Sequence, residues 1–295
     1  MKAEHRIWRM GAHLVLMLIS AACIIPFILL ATASLTSEAE LVRHGYSFFP
    51  SEISTAAYAY LWNGGREIVR AYGITIFVTI TGTAVSLLIT SLLAYPMSRK
   101  DYPVGTVLAL AVFVTMLFNG GLVPTYLVYT QIFHIKDTLF ALLIPGVLMN
   151  GFSVMLMRTF FQMSIPMPVI ESASIDGAGE WRTYWSFILP LSMPIMATVG
   201  LLETLTYWND WMNGTIYLTD TSLYGIQNLL NRILTDAQFA SSGNFGSISS
   251  AVANPAPLET VKMAIAVIGV LPIMVAYPFF QKYYVKGIVI GSVKG

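Results

Sequence analysis

Apolar residues in this chain fall into long unbroken runs separated by short polar breaks, with no sustained period-two alternation. A helix crossing a hydrocarbon core about 30 Å thick needs about 20 apolar residues, at about 1.5 Å each. Six runs satisfy this: Gly11–Ser34, Ala71–Pro96, Val104–Gln131, Asp137–Met157, Leu191–Asn213 and Glu259–Gln281. Continuous runs predict helices, whereas the strands of a membrane barrel would alternate. The pattern therefore predicts an all-α membrane protein with six transmembrane helices.

Composition agrees. Of 295 residues, 56% are hydrophobic and 11% charged, against about 25% charged in a soluble domain. A soluble fold of this length has too little interior to hide so much apolar surface. Net charge is +1 and no Lys/Arg run tracks a phosphate backbone, so nucleic acid is not an expected partner. The single cysteine, Cys23, excludes an internal disulfide framework and a Cys-based metal cluster, and reads as a small buried hydrophobe. "MKAEHRIWR" followed by Ala31-Thr32-Ala33 mimics a secretory signal, but the apolar stretch is too long and five more follow. An uncleaved anchor is expected.

The basic residues set the orientation. An N-terminus inside places Lys2, Arg6, Arg9, Arg99, Lys100, Arg158, Arg182, Lys282, Lys286 and Lys294 in the cytoplasm. Arg43, Arg66, Arg70, Lys136, Arg232 and Lys262 then lie outside or at the outer boundary. Both termini are expected to be cytoplasmic. Two external segments follow from this, Leu35–Arg70 with its Asn63-Gly64-Gly65 turn signal, and Gly214–Leu258. In the second, Ile226, Leu229, Leu230 and Ile233 form an i, i+3, i+4, i+7 stripe, which predicts a short amphipathic helix before the Ser/Gly/Asn-rich "ASSGNFGSISSAVANPAP". That segment is either loop decoration or a docking surface for an external partner.

Catalytic signatures are missing. There is no Gly-Lys pair, hence no phosphate-cradling Walker A loop, and no H-E-x-x-H or G-x-S-x-G. No metal ligands or catalytic residues are assigned. What interrupts the apolar pattern is "ESASIDGAGEWRTYWSFILP", Glu171 to Pro190, on the expected cytoplasmic side. Pro166 and Pro168 suit the first turn of a helix that runs through "VIESASI" and stops at Asp176-Gly177. Gly179 opens a second piece that Pro190 ends. Small residues around Gly177 allow a close neighbour, and Glu171 shares a face with Ile175 one turn later. The residues alone leave two readings open: an interfacial linker with Trp181, Tyr184 and Trp185 in the headgroups, or a docking knob.

Glu171-Ser-Ala173, three residues, Gly177, nine residues, then Phe187-Ile188-Leu189-Pro190 resembles the EAA loop of ABC-importer permeases, EAA-x3-G-x9-I-x-L-P. Ser172 replaces the first Ala and Phe187 the Ile, both tolerable in size. "IDGAGEW" and "LPLSMPIMAT" resemble the carbohydrate-importer branch and its maltose-type second permease subunit, and "FNGGLVPTYLVY" resembles permeases for larger or modified oligosaccharides, with alginate and other uronate-rich sugars as the specific expectation. The resemblance covers essentially the whole chain. It implies a single type I ABC-importer transmembrane domain over residues 1–295, with a core at about 71–281 and a cytoplasmic coupling loop at about 161–190. It implies residence in a bacterial inner membrane, and three kinds of partner besides lipid: a second homologous permease, a cytoplasmic ABC ATPase dimer, and an extracytoplasmic solute-binding protein, with ATP and Mg bound by the ATPase and no cofactor in this chain. Glu171, Ser172, Ala173, Asp176, Gly177, Leu189 and Pro190 would then couple to the ATPase.

A translocation pathway is expected near the fifth span. Glu203 lies halfway along it, and Tyr207, Trp208, Asn209, Asp210, Trp211 and Asn213 follow, aromatic faces beside amides and a carboxylate, as sugars require. Trp208 and Trp211 read equally as an interfacial aromatic belt, and Glu203 as a group buried against a partner permease. Asn119-Gly120-Gly121, Pro124, Pro145 and Gly146 loosen the third and fourth spans as hinges or packing features. Gly73, Gly82 and Gly200 suit close helix packing. Two other classes stay open: a secondary transporter, which would show inverted repeats or midplane carboxylates, and a membrane scaffold without an ATPase.

Overall fold

The computed structural model describes residues 2–63, 65–99, 101–241 and 258–292. Among these residues no strand forms, and extended pairing reduces to one isolated bridge, Thr36 with Ile53. Helix α1 (Lys2–Ser34) leads into two short helices of the polar segment, α2 (Glu38–His44) and α3 (Ala56–Asn63), and then α4 (Gly65–Ser98). Gly64 of the turn signal lies outside the described residues. Trp8–Ser34 and Gly65–Ser98 are each long and apolar enough to cross a membrane. Cys23 is exposed on α1 and not buried, because the middle of α1 packs against no other part of the described chain.

The remaining expected spans are broken by identifiable chemistry. The third bends by 116° between α5 (Gly105–Leu117) and α6 (Leu122–Leu127), which continues as a π turn, Val128–Ile132. Gly121 takes φ +85°, and the Asn119 side chain accepts its N–H at 2.9 Å. The fourth run, Asp137–Met157, is not one helix. It divides into α7 (Phe140–Leu143) and α8 (Gly151–Ser164). Pro145 offers no N–H to a helix, Gly146 turns the chain at φ +73°, and Asn150 caps α8 by accepting from Phe152 N–H at 2.9 Å.

Next come α9 (Met167–Ile175), α10 (Glu180–Thr183), a π turn over Tyr184–Ile188, and α11 (Leu189–Leu191). At Ser192 the direction changes by 79° into α12 (Met193–Trp208). Then follow α13 (Met212–Tyr217), a 3-10 turn at Thr221–Leu223, α14 (Ile226–Ser241) and α15 (Leu258–Ser292). With each bent pair counted as one crossing, up to four spans are present among the described residues. The predicted amphipathic helix is α14: Ile226, Leu229 and Leu230 are buried and Ile233 is half-buried. The polar run after it, residues 242–257, lies outside the described residues, as do Lys100 and Lys294 of the orientation argument.

The chain divides into two compact units, Met1–Ile68 with Leu230–Pro272, and Val69–Leu229 with Ile273–Gly295. In the first, the Glu38 carboxylate accepts from the N–H groups of Glu259 and Thr260, both at 2.9 Å, and from the Thr260 hydroxyl at 2.8 Å. An anion there meets the unsatisfied donors and positive dipole end of α15. Glu40 likewise grips the Ser51 and Glu52 N–H groups, each at 2.7 Å. The second unit has two apolar cores. One gathers Tyr95, Val112, Val154, Met157, Tyr184 and Val199 from α4, α5, α8, the second π turn and α12. The other joins Val78, Leu142, Tyr207 and Tyr217 from α4, α7, α12 and α13.

Two predictions follow from this packing. A Cβ added at Gly82 would lie 2.4 Å from the Tyr207 ring, and one at Gly200 would lie 3.2 Å from Leu87, but one at Gly73 meets nothing within 4 Å. Gly82→Ala should therefore destabilise the detergent-solubilised protein by about 1–3 kcal/mol, whereas Gly73→Ala leaves its melting temperature unchanged or raised. Circular dichroism melts check both. Hydrogen bonds from the Ser51 and then the Glu52 backbone hold the Glu40 carboxyl below its ordinary pKa. Its contribution is thus present above the unfolded-state value and is lost as pH falls through the lowered one. Exchange protection of the Ser51 and Glu52 amides, corrected for intrinsic pH dependence, should drop across that acidic window and be absent at every pH in Glu40→Ala.

Candidate functional site

The Glu171–Pro190 segment folds as two arms around a glycine. Pro166 precedes α9 and Pro168 sits in its first turn, where a missing N–H costs nothing. The helix ends in a Schellman closure: Gly177 N–H bonds Ser174 O at 3.0 Å and Ala178 N–H bonds Ala173 O at 2.9 Å. Gly177 adopts φ +76°, and a Cβ there would touch nothing. Glycine is required by the handedness of the cap and not by space. Gly179, extended at φ -70°, starts the second arm.

Exposure sorts the seven coupling candidates. Glu171, Ser172, Asp176 and Gly177 are exposed, and Ile175 beside them is 86% exposed. Ala173 faces inward at 2%, so its small size serves the packing of α9 on its own chain. Leu189 is half-buried against the first core, and Pro190 is exposed at the bend. The exposed tip therefore carries two carboxylates around one unpartnered isoleucine.

The seven pathway candidates separate too. Glu203 is buried and accepts from the Ser153 hydroxyl at 2.8 Å, joining α12 to α8. Tyr207 is buried over Gly82 and donates to Leu143 O at 2.9 Å. Trp208 is buried, its ring 6.3 Å from that of Tyr72. Asn213 donates to Pro145 O at 2.9 Å and to Asp210 at 2.7 Å, and Asp210 also accepts Asn213 N–H at 3.1 Å. This pair braces the start of α13 against the break between α7 and α8. Asn209 and Trp211 are exposed. Among the described residues no three His, Cys, Asp or Glu side chains gather as a metal site.

Sequence reasoning passed over three polar groups. Arg99, which entered only as a topogenic charge, reaches Glu180 across 81 residues of chain. Asn228, on the buried side of α14, donates to Trp211 O and Thr215 Oγ1, and its carboxamide fits only because position 214 is glycine. Asp137, at φ 55°, accepts from the Thr219 hydroxyl at 2.6 Å and from Asp220 N–H at 3.0 Å. The amphipathic stripe could have pointed to Asn228. Nothing local marks the other two.

A bent, glycine-capped segment thus lies between apolar helices. Residues 12–290 match the family described as "Binding-protein-dependent transport system inner membrane component", and the chain belongs to that family. It is 36% identical, over 99% of this chain and all of the relative, to the polygalacturonan/rhamnogalacturonan transport system permease protein YtcP of Bacillus subtilis (strain 168). It is 35% identical to Protein LplC of the same organism, over 94% of this chain and 91% of the relative. A solved structure titled "Crystal structure of a bacterial ABC transporter involved in the import of the acidic polysaccharide alginate" superposes with a TM-score of 0.79 at 28% identity, covering 95% of this chain and 97% of that one.

Proposed function

We propose that this chain is the permease subunit of an ATP-driven importer of oligosaccharides, with uronate-rich sugars as the substrate class. The family and the sugar named for each of two similar proteins support the class of transport, and one observation carries the coupling role: the exposed Glu171–Ile175–Asp176 tip of a helix closed by a glycine cap. In this reading the chain is one transmembrane domain of six spans, with both termini and the 161–190 loop in the cytoplasm. The broken runs are then crossings interrupted where protein, not lipid, surrounds the backbone.

The partners follow from the role. A cytoplasmic ATPase dimer, which binds ATP and Mg, receives α9 in a cleft, with Glu171, Ser172, Asp176 and Ile175 at the contact and Gly177 fixing the angle of the tip. A second, homologous permease completes the pathway, and an extracytoplasmic solute-binding protein delivers sugar. Closure of the ATPase pulls the loop and swings the helices as rigid bodies between inward- and outward-facing states. Family membership favours this over a secondary transporter or a scaffold, since both would work without a binding protein.

Of the pathway candidates, exposed Trp211 and Asn209 suit a cavity shared with the second permease, while Glu203, Tyr207, Trp208 and the Asp210–Asn213 brace hold the wall behind it. Trp211→Ala should weaken apparent substrate affinity by about two- to tenfold, the loss of one aromatic contact. Glu203→Gln, which keeps an acceptor for Ser153, should leave it within twofold. Uptake into proteoliposomes separates them, and the reverse order would move the pathway to the interior of the subunit.

Coupling has its own test, at a position where substitution disturbs no packing. Ile175→Glu should release the ATPase from the detergent-purified complex and reduce sugar-stimulated ATP hydrolysis at least tenfold, while insertion in the membrane is normal. A variant that keeps its ATPase and transports at the wild-type rate would remove the assignment.

A further inference from the structure

Force applied to α9 has covalent routes to only two of the long helices. Its first residue follows α8 through Ile165-Pro166, and the second arm runs into α12 through Ser192. The α4 helix has no such link, because 81 residues separate Arg99 from Glu180. A row of side chains nevertheless joins them. Ser91 and Tyr95 stand at i and i+4 on one face of α4, Arg99 follows directly after its last residue, Ser98, and Glu180 and Tyr184 stand at i and i+4 on the second arm.

The pairing is antiparallel and made at two levels. At the first, the Tyr184 hydroxyl lies 2.6 Å from Ser91 Oγ, both residues buried. At the second, Tyr95 donates to Glu180 Oε2 at 2.7 Å, and Arg99 Nη1 donates to the same carboxylate at 3.3 Å and to the Tyr95 oxygen at 3.0 Å. The Tyr95 and Tyr184 rings lie 5.7 Å apart, tilted against each other. Arg99 is itself held by Asp101, which accepts from Nε at 2.7 Å, and its side chain is only 14% exposed. An isolated pair with a Glu as exposed as Glu180, 68%, would hold little. Here the arginine is fixed in advance and the tyrosine is buried, so neither must be ordered when the pair closes.

We propose that Arg99 and Tyr95 are positioning residues that latch the second arm to α4, so that movement of the coupling tip carries α4 together with α8 and α12. The latch rests on the coupling role proposed above and adds a route that this role does not require. Without it the ATPase would still bind and fire, and α4 would lag behind.

The test uses the whole complex in proteoliposomes, with its ATPase, second permease and binding protein, and oligogalacturonate as the probe sugar. Arg99→Ala and Glu180→Ala are each expected to lower sugar transported per ATP at least tenfold with the ATPase still bound. The double variant should be no worse than either single one, as for two ends of one contact. Asp101→Ala, which keeps both ends of the contact but no longer holds the arginine in place, should lower the ratio less than Arg99→Ala does. In a Cys23→Ala background, Arg99→Cys with Glu180→Cys should lose coupling when reduced and regain it when joined by a short bis-methanethiosulfonate linker.

Coupling ratios within twofold of wild type, additive losses, or a linked pair that stays uncoupled would each overturn the latch and leave the function standing. A wild-type complex whose ATPase does not respond to binding protein and sugar would remove the coupling role, and the latch with it.

Discussion

A backbone that runs through an apolar environment has to satisfy its own N–H and C=O groups, and this constraint decides where the chain is allowed to break. Three interruptions among the described residues of the second unit come with a side-chain donor or acceptor. Asn119 closes the bend before α6, and Asn150 caps α8. The Ser192 hydroxyl bonds Ile188 O at 2.6 Å where α11 turns into α12. Leu143 O and Pro145 O, freed by the gap after α7, are taken up by Tyr207 and Asn213. The polar residues that looked from the sequence like ligands for sugar are in part the residues that make broken helices affordable in lipid.

That changes how buried polarity reads in this fold. Glu203 is costly to bury, and the Ser153 hydroxyl at 2.8 Å gives it a partner on the neighbouring helix. Its placement ties α12 to α8, the two helices that lead into and out of the hinged segment. The same accounting explains Glu38 and Glu40 in the first unit, where each carboxylate closes on two backbone N–H groups of a distant stretch. Acidic residues in both units thus serve as fasteners for backbone before they serve as charges.

What the sequence made legible was local. The amphipathic stripe of α14, the stop at Asp176-Gly177 and the proline entry to α9 all follow from spacing and residue type, and all three are present. The apolar run 137–157 read as one span, and it breaks at the loosening signals Pro145 and Gly146, where Gly146 turns left-handed. Residue type alone did not separate such a full interruption from a hinge or a packing feature. Contacts across long separations were invisible for a different reason. Arg99 with Glu180, and Glu38 with Thr260 across 222 residues, depend on the packing of whole helices and leave no periodic trace. Ala173 shows the limit within a motif: spacing marked it as special, but only its 2% exposure tells that it faces its own chain.

Glycine illustrates why a motif has to be converted into geometry before it explains anything. Gly82 and Gly177 are the same residue in the sequence and opposite cases in space. At Gly82 the backbone is ordinary helix and the constraint is the Tyr207 ring, so any side chain collides. At Gly177 there is empty space for a side chain, and the constraint is φ +76°, which an L-residue adopts only under strain. The first fixes how closely α4 and α12 approach within one subunit. The second fixes the direction in which the tip of α9 points, by backbone closure alone, and leaves Glu171, Ile175 and Asp176 exposed there.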